Sequence, residues 1–329
     1  MIKALISSYN FIKHNKKIFP HNKKKENKIL VEYFEYAPVI VPFSYIANVL
    51  AEKYNAEIIG YKNFNRNFLS KIKILLQKIW FLSNWNIYRS FGVKKLIDPK
   101  LNKLLTLKSE KLYKQVIKKI KDKKDVLDIE INKINIGDLI YDDYLREKNY
   151  STIDIKQDDF KKHLLKMLQL FIFWENYMKD NNNVKAIVLS HTVYKYGIIL
   201  RIAAHHNIKV FNTSWGCTYF LDKKNKLSSV RFDDYPRMFK ILNKNIKKNL
   251  HNIAEKELNK KLSGKKNFTQ IINQAQDFKS FSLNKDKRIK QNEIIKKQVT
   301  VLVAAHCFTD AVHAFDKALF LDFHDWLEF

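Results

Sequence analysis

Residues 184 to 211, VKAIVLSHTVYKYGIILRIAAHHNIKVF, change hydrophobic period twice, and this constrains the fold more than any other stretch. Val184 to Leu189 is almost wholly apolar, the pattern of a strand buried on both faces of a parallel sheet. Ser190, His191 and Thr192 break the run with three polar side chains. From Tyr194 to His206 the residues Tyr196, Ile199, Leu200, Ala203 and Ala204 recur at three- and four-residue spacing, which predicts an amphipathic helix. Asn207 ends it, and Ile208 to Phe211 reads as a second strand. Such a β-α-β crossover is right-handed and belongs to an open, doubly wound sheet. Ligands bind beyond the carboxyl ends of strands in such sheets, so Ser190, His191 and Thr192 face a crevice, as do Asn212 to Gly216. The alternative for Ser190 and Thr192 is that they cap the helix.

A similar unit opens the chain. Residues 1 to 28 are basic and polar and predict a flexible leader. Lys28 to Phe34 reads as a strand, with Glu35, Tyr36, Ala37 and Pro38 as the loop beyond it. Pro42 suits an early position in a helix running from about Phe43 to Tyr54, and Ala56 to Tyr61 is the next strand. No GxGxxG follows either strand, and the chain has six glycines, so the dinucleotide fingerprint is absent and an NAD or FAD enzyme is not expected.

Between Phe68 and Leu96 an apolar stripe of Ile72, Leu75, Leu76, Ile79, Trp80, Leu82 and Trp85 is flanked by lysines, consistent with core packing or with an interfacial membrane helix. Residues 101 to 124 read as a solvated Lys-rich helix. The segment from Ile134 to Arg146 gathers Asp138, Asp142, Asp143, two tyrosines and Arg146 around one of the rare glycines. Arg146 suits the clamping of an anionic sugar or phosphate, and Asp142 or Asp143 the acceptance of sugar hydroxyls. The competing reading is an internal salt bridge between Arg146 and one of those acids. Phe160 to Lys179 predicts a long amphipathic helix with His163 at its surface or boundary. Trp215 and Gly216, in the loop Asn212 to Tyr219, put an aromatic face beside small hydroxyls, which suits a sugar ring.

Residues 231 to 297 are strongly polar and read as a helical connector. Gln298 to Ala305 predicts another strand, and His306 stands at its carboxyl end, followed by Asp310 and His313. On a helix His306, Asp310 and His313 would share a face and could hold a metal, but no further ligand cluster accompanies them, so no metal is assigned.

Composition narrows the partners. The formal charge is +28, from 61 basic and 33 acidic residues, and only seven of the basic residues are arginine. Base and phosphate readout favours the arginine fork, and no nucleic-acid-binding motif is present, so nucleic acid is not expected as a partner. Positive charge alone suffices for anionic lipid head groups or phosphorylated substrates. Cys217 and Cys307 are the only cysteines, which fits a reducing cytosol. Nothing reads as a signal peptide, and no run approaches the roughly 18 uncharged apolar residues of a membrane span.

The segments NKILVEYFEYAP (27 to 38), INIGDLIYDDYLR (134 to 146), the Ser190-His191 crossover, and VLVAAHCFTDAVH with FLDFHDWLEF (301 to 329) resemble bacterial capsule and surface-polysaccharide biosynthesis proteins of the GT-B glycosyltransferase type. The resemblance covers most of residues 27 to 329. It implies an α/β fold with two Rossmann-like domains facing a cleft, the first holding the acceptor and the second a nucleotide-sugar. The expected domains are a leader (1 to 28), an acceptor-side domain (29 to 230), the connector (231 to 297) and the beginning of a shortened donor-side domain (298 to 329), whose incompleteness leaves catalytic competence open. On this resemblance His306, Asp310 and His313 lie in the cleft opposite His191. The implied chemistry is inverting transfer without a metal, from a nucleotide-sugar donor to a saccharide or lipid-linked acceptor. His306 is the first candidate base or phosphate contact and His191 the second; Tyr36, Asp142, Arg146, Ser190, Thr192, Trp215 and Gly216 are candidate substrate contacts. No cofactor is implied. The implied location is the cytoplasm or the inner face of the cytoplasmic membrane. The alternatives are a non-catalytic polysaccharide-binding module at a membrane surface and a metal-dependent hydrolase.

Overall fold

A computed structural model describes residues 2–19, 25–34, 37–63, 83–214, 217–222, 234–262, 309–314 and 319–329. The chain divides into two units: Met1–Val230 with Cys307–Phe329, and Arg231–His306.

The first unit is α/β. Its strands are β1 (Asn27–Glu32), β2 (Ala56–Tyr61), β3 (Lys95–Ile97), a small antiparallel pair β4 (Glu130–Ile131) and β5 (Ile134–Asn135), then β6 (Val184–Leu189), β7 (Lys209–Ser214) and β8 (Cys217–Leu221). The main sheet has the order β3-β2-β1-β6-β7-β8; every neighbouring pair is parallel except β7 and β8. The expected crossover is present, with its strand over the predicted residues.

The helices of this unit are α1 (Ile2–Ile18), α2 (Ala37–Lys53), α3 (Asn84–Ser90), α4 (Lys103–Ile117), α5 (Gly137–Lys148), α6 (Asp158–Asp180) and α7 (Tyr196–His205). Alternate residues of each central strand enter two separate cores. Ile29, Val31, Ala186 and Val188 pack with α2 and α3 on one face. Leu30, Ile187 and Leu189 pack with α5, α6 and α7 on the other. The cause lies in the winding. From β1 the chain moves outward to β2, from β6 it moves outward the opposite way to β7, and crossovers of one hand then put α2 and α7 on opposite faces. The winding therefore reverses between β1 and β6, which makes the carboxyl ends of those two parallel strands the switch point.

Several expectations change. Residues 2 to 18 form a helix rather than a flexible leader: Ile12 and Asn15 are buried, Asn15 donates to the Ser90 hydroxyl (3.2 Å), and Phe11 meets Phe91 edge-on. Apolar side chains on one face of the basic segment supply the docking that its charge pattern hid. Helix α2 starts at Ala37, six residues earlier than read, and carries Pro42 inside it. His163 is buried at 3 % exposure, not at a boundary. Gly137 is required where it stands, because a Cβ there would sit 2.2 Å from the Val126 carbonyl oxygen as the first turn of α5 presses on the 3-10 turn Lys123–Val126. The stripe over 68 to 82 lies outside the described residues.

The second difference concerns the carboxyl-terminal segment. The sequence suggests a new domain over 298 to 329, whereas Cys307–Phe329 groups with the first unit, where it ends in α10 (Phe323–Glu328) after α8 (Asp234–Ile241) and α9 (Lys244–Leu262) of the second. Polar anchors hold it. Asp322, 1 % exposed, accepts from Tyr141 (2.5 Å), Thr152 (2.6 Å) and Lys123 (2.9 Å) while capping α10 through the amides of His324 and Asp325. The strand read over 298 to 305 lies outside the described residues. Among the described residues no helix is long and apolar enough to cross a membrane.

Asp322→Asn is expected to loosen this segment without unfolding the sheet. An amide keeps some of the hydrogen bonds but loses the charge attraction to Lys123, a loss of about 2 kcal/mol. Amide exchange at Ala311, His313 and His324 should quicken about 30-fold while that of β1 and β6 stays unchanged. Unaltered exchange at those three amides would show that Asp322 is not the anchor.

Candidate functional site

The register pairs Val31 with Val188, so Glu32 ends β1 beside the end of β6, and Ser190 and His191 follow directly. Glu32 is 2 % exposed. Its Oε2 accepts from both the amide and the hydroxyl of Ser190 (2.7 Å each), and its Oε1 accepts from the Asn63 side chain (3.2 Å). Tyr88 donates to the Glu32 carbonyl oxygen (2.5 Å) and accepts from the Phe34 amide (3.1 Å), which fixes the strand end. Burial with no cation among these contacts pushes the carboxyl up to about 7, the two Ser190 hydrogen bonds pulling the other way.

From Ser190 the chain of contacts continues to His191, whose Nδ1 lies 2.6 Å from the hydroxyl. His191 stands exposed, with Phe34 stacked at 6.2 Å between ring centroids and Tyr196 at 5.3 Å. Desolvation, then the charge of Arg146, lowers its pKa against a smaller opposing effect of Asp310, so the ring is neutral at pH 7. A serine has one hydroxyl proton. When Glu32 is ionised that proton goes to the carboxylate, the serine oxygen accepts from Nδ1–H, and Nε2 is left as an unprotonated base.

Ser190 and Thr192 do not cap the helix. Lys195 precedes α7 with no side-chain cap, Ser190 is bound to Glu32, and Thr192 is buried in the turn. Gly197 is required here: a Cβ would meet the Thr192 carbonyl oxygen at 2.4 Å. Asn212, within β7, donates to the carbonyls of Leu189 and Ser190 (3.3 and 2.8 Å) and holds the turn from the other side.

Arg146 does not pair with the acids of its own helix. Asp138 binds Arg201 (2.5 Å), Asp142 binds His313, and Arg146 reaches Asp310 (3.0 Å) and the Tyr194 hydroxyl (2.9 Å). Tyr194 donates to Asp310, and the Ala311 amide donates to Tyr194 (2.9 Å). His313 is committed at both nitrogens, Nδ1 to the Asp142 carboxylate (2.6 Å) and Nε2 to the Leu321 carbonyl oxygen (2.9 Å). Two acceptors require a doubly protonated ring. Desolvation opposes that, yet the Asp142 hydrogen bond and charge win and raise the His313 pKa. His313 is thus neither a free base nor a free ligand.

The structure therefore brings Ser190 and His191 together with Glu32, and Arg146 together with Asp310. Asp142 and His313 form a separate pair, and Thr192 serves the turn. Tyr36, Trp215, Gly216 and His306 lie outside the described residues. Asp143, Glu147 and His163 present ligand atoms within 4.8 Å of one another. Lys166 already binds Glu147 (2.6 Å), and Lys195 lies 3.7 Å from Glu147 and 3.9 Å from Asp143. These are the counter-charges a cation would have to displace. His163 itself is pushed down to about 4 by burial and is neutral.

Sequence reading passed over Glu32, Tyr88 and Tyr194. For Glu32 the signal was available: an acid ending an apolar run that is buried on both faces must find donors or a proton. No family model, curated protein or solved structure matches the chain.

Proposed function

We propose that the crevice at the ends of β1 and β6 binds a saccharide acceptor, and that the protein is a glycosyltransferase-like enzyme of surface-polysaccharide assembly. The supporting observation is the Glu32–Ser190–His191 relay at the switch point, ending in a neutral imidazole. Phe34 and Tyr196 beside it suit the C–H faces of a sugar ring. His191 Nε2 takes the proton of an acceptor hydroxyl, the oxygen attacks the anomeric carbon of a nucleotide-sugar, and the bond from that carbon to the nucleotide phosphate breaks. The electron pair leaves with the phosphate. The excess of basic residues favours so anionic a donor. The reading carries with it the cytoplasm or the inner membrane face as its location.

The test is to incubate the full chain with UDP-, GDP- and CMP-sugars and an extract of acceptor glycans. Acceptor-dependent release of nucleotide from one of them is expected. A second reading, a non-catalytic module at an anionic membrane surface, is favoured by α9, where Ile246, Leu250, Ile253 and Leu258 are exposed among lysines. Salt-sensitive binding to phosphatidylglycerol vesicles, with no nucleotide released from any donor, would replace the enzymatic reading with that one.

A further inference from the structure

Arg146 sits in the last turn of α5 with its side chain 58 % exposed. Among the described residues only Nη1 of its fork is engaged, by Tyr194 and Asp310. The guanidinium carbon lies 4.7 Å from the centre of the Tyr194 ring. Tyr194 is 3 % exposed and has φ +56°, a left-handed conformation that is costly for a bulky side chain. The turn between β6 and α7 accepts that cost and holds the phenol hydroxyl against the arginine.

The Asp310 carboxylate comes from a distant part of the chain and is itself 46 % exposed. An ion pair so open to water contributes only about 0 to 1 kcal/mol to stability, so holding the fold does not account for an arginine here. Seating a planar oxyanion does: the fork binds two oxygens in one plane, and an aromatic face beneath it fixes its orientation. Tyr194 follows His191 by three residues in the turn between β6 and α7, which places this seat on the same turn as the proposed base.

We infer that Arg146 and Tyr194 form the seat for a carboxylate borne by the acceptor, as in a uronic acid, and that Asp310 occupies the seat as an internal stand-in displaced when acceptor binds. The inference deepens the saccharide-acceptor reading and rests on it. A carboxylate supplied by the chain itself excludes loose anions, while an acceptor that also packs on Phe34 and Tyr196 displaces it.

The full chain has seven arginines, so their side-chain Nε–H signals can be followed singly by NMR. Sodium glucuronate is titrated into the wild type, Asp310→Asn, and Asp310→Asn combined with Arg146→Lys; glucose and inorganic phosphate serve as neutral and non-carboxylate probes. Glucuronate is expected to bind Asp310→Asn at least about tenfold more tightly than the wild type. The added Arg146→Lys change, which keeps the charge and removes the fork, should reverse that gain, and glucose should show no such difference. Equal binding by wild type and Asp310→Asn, retention of the gain with lysine, or preference for phosphate would each overturn the carboxylate seat. Both positions are exposed, and unchanged amide spectra for β1 and β6 confirm that each variant is folded. The readout is binding, so its failure is separable from a failure of nucleotide release.

Discussion

Glutamine in place of Glu32 is expected to make the protein more stable at pH 8, by about 3 kcal/mol, and no more stable at pH 4. The folded carboxyl titrates at about 7 against 4.5 as its ordinary value. Each pH unit between those values corresponds to about 1.4 kcal/mol. The sign follows from proton binding. Below 4.5 folded and unfolded chains both hold the proton, and burial costs no charge. As pH rises to about 7 the unfolded chain releases its proton while the folded one keeps it, so stability falls, and above 7 the full penalty is present. Glutamine never ionises and avoids that penalty. It also fits: its oxygen can take the Ser190 amide, and its amide can face Asn63, whose Oδ1 has no partner among the described residues. Thermal unfolding of both proteins across pH 4 to 8 measures the difference. A constant difference over that range would mean that Glu32 does not titrate with folding.

The same substitution should impair catalysis. An amide oxygen is a weaker acceptor than a carboxylate, so the Ser190 proton turns toward His191 Nδ1 and leaves the hydrogen on Nε2, where a base needs a lone pair. In the wild type, transfer should therefore rise with pH through about 7 as Glu32 ionises. A site kept at the expense of stability is what a functional role predicts for a buried acid with no cation among its described contacts.

His191→Gln is expected to reduce acceptor-dependent nucleotide release by about 10²- to 10⁴-fold, the usual contribution of a positioned general base. Glutamine preserves hydrogen bonding to Ser190 and most of the packing against Phe34 and Tyr196, but it accepts no proton at neutral pH. The loss should therefore fall on kcat, with KM for the acceptor little changed, and the rise through pH 7 should disappear. The exposed position argues against collapse, which unfolding temperature checks directly. Full activity in the variant would remove His191 from the chemistry.

The periodicity of residues 184 to 211 settled the crossover, and with it the parallel sheet and the edge at which polar residues collect. Strand and helix periods are local properties, so they are legible without knowing what packs on what. Ser190 and His191 were legible for the same reason. Glu32 was not, because its meaning depends on lying beside Ser190, 158 positions away, in a neighbouring strand. Arg146 reads from sequence as an anion clamp or as the partner of an acid in its own helix; its partner is residue 310. The docking of residues 307 to 329 and of α1 was likewise invisible. Local pattern tells which face of an element is apolar, and this the sequence determined. Which distant donor or acceptor satisfies a buried charge depends on the order in which strands meet, and only the tertiary structure decides that.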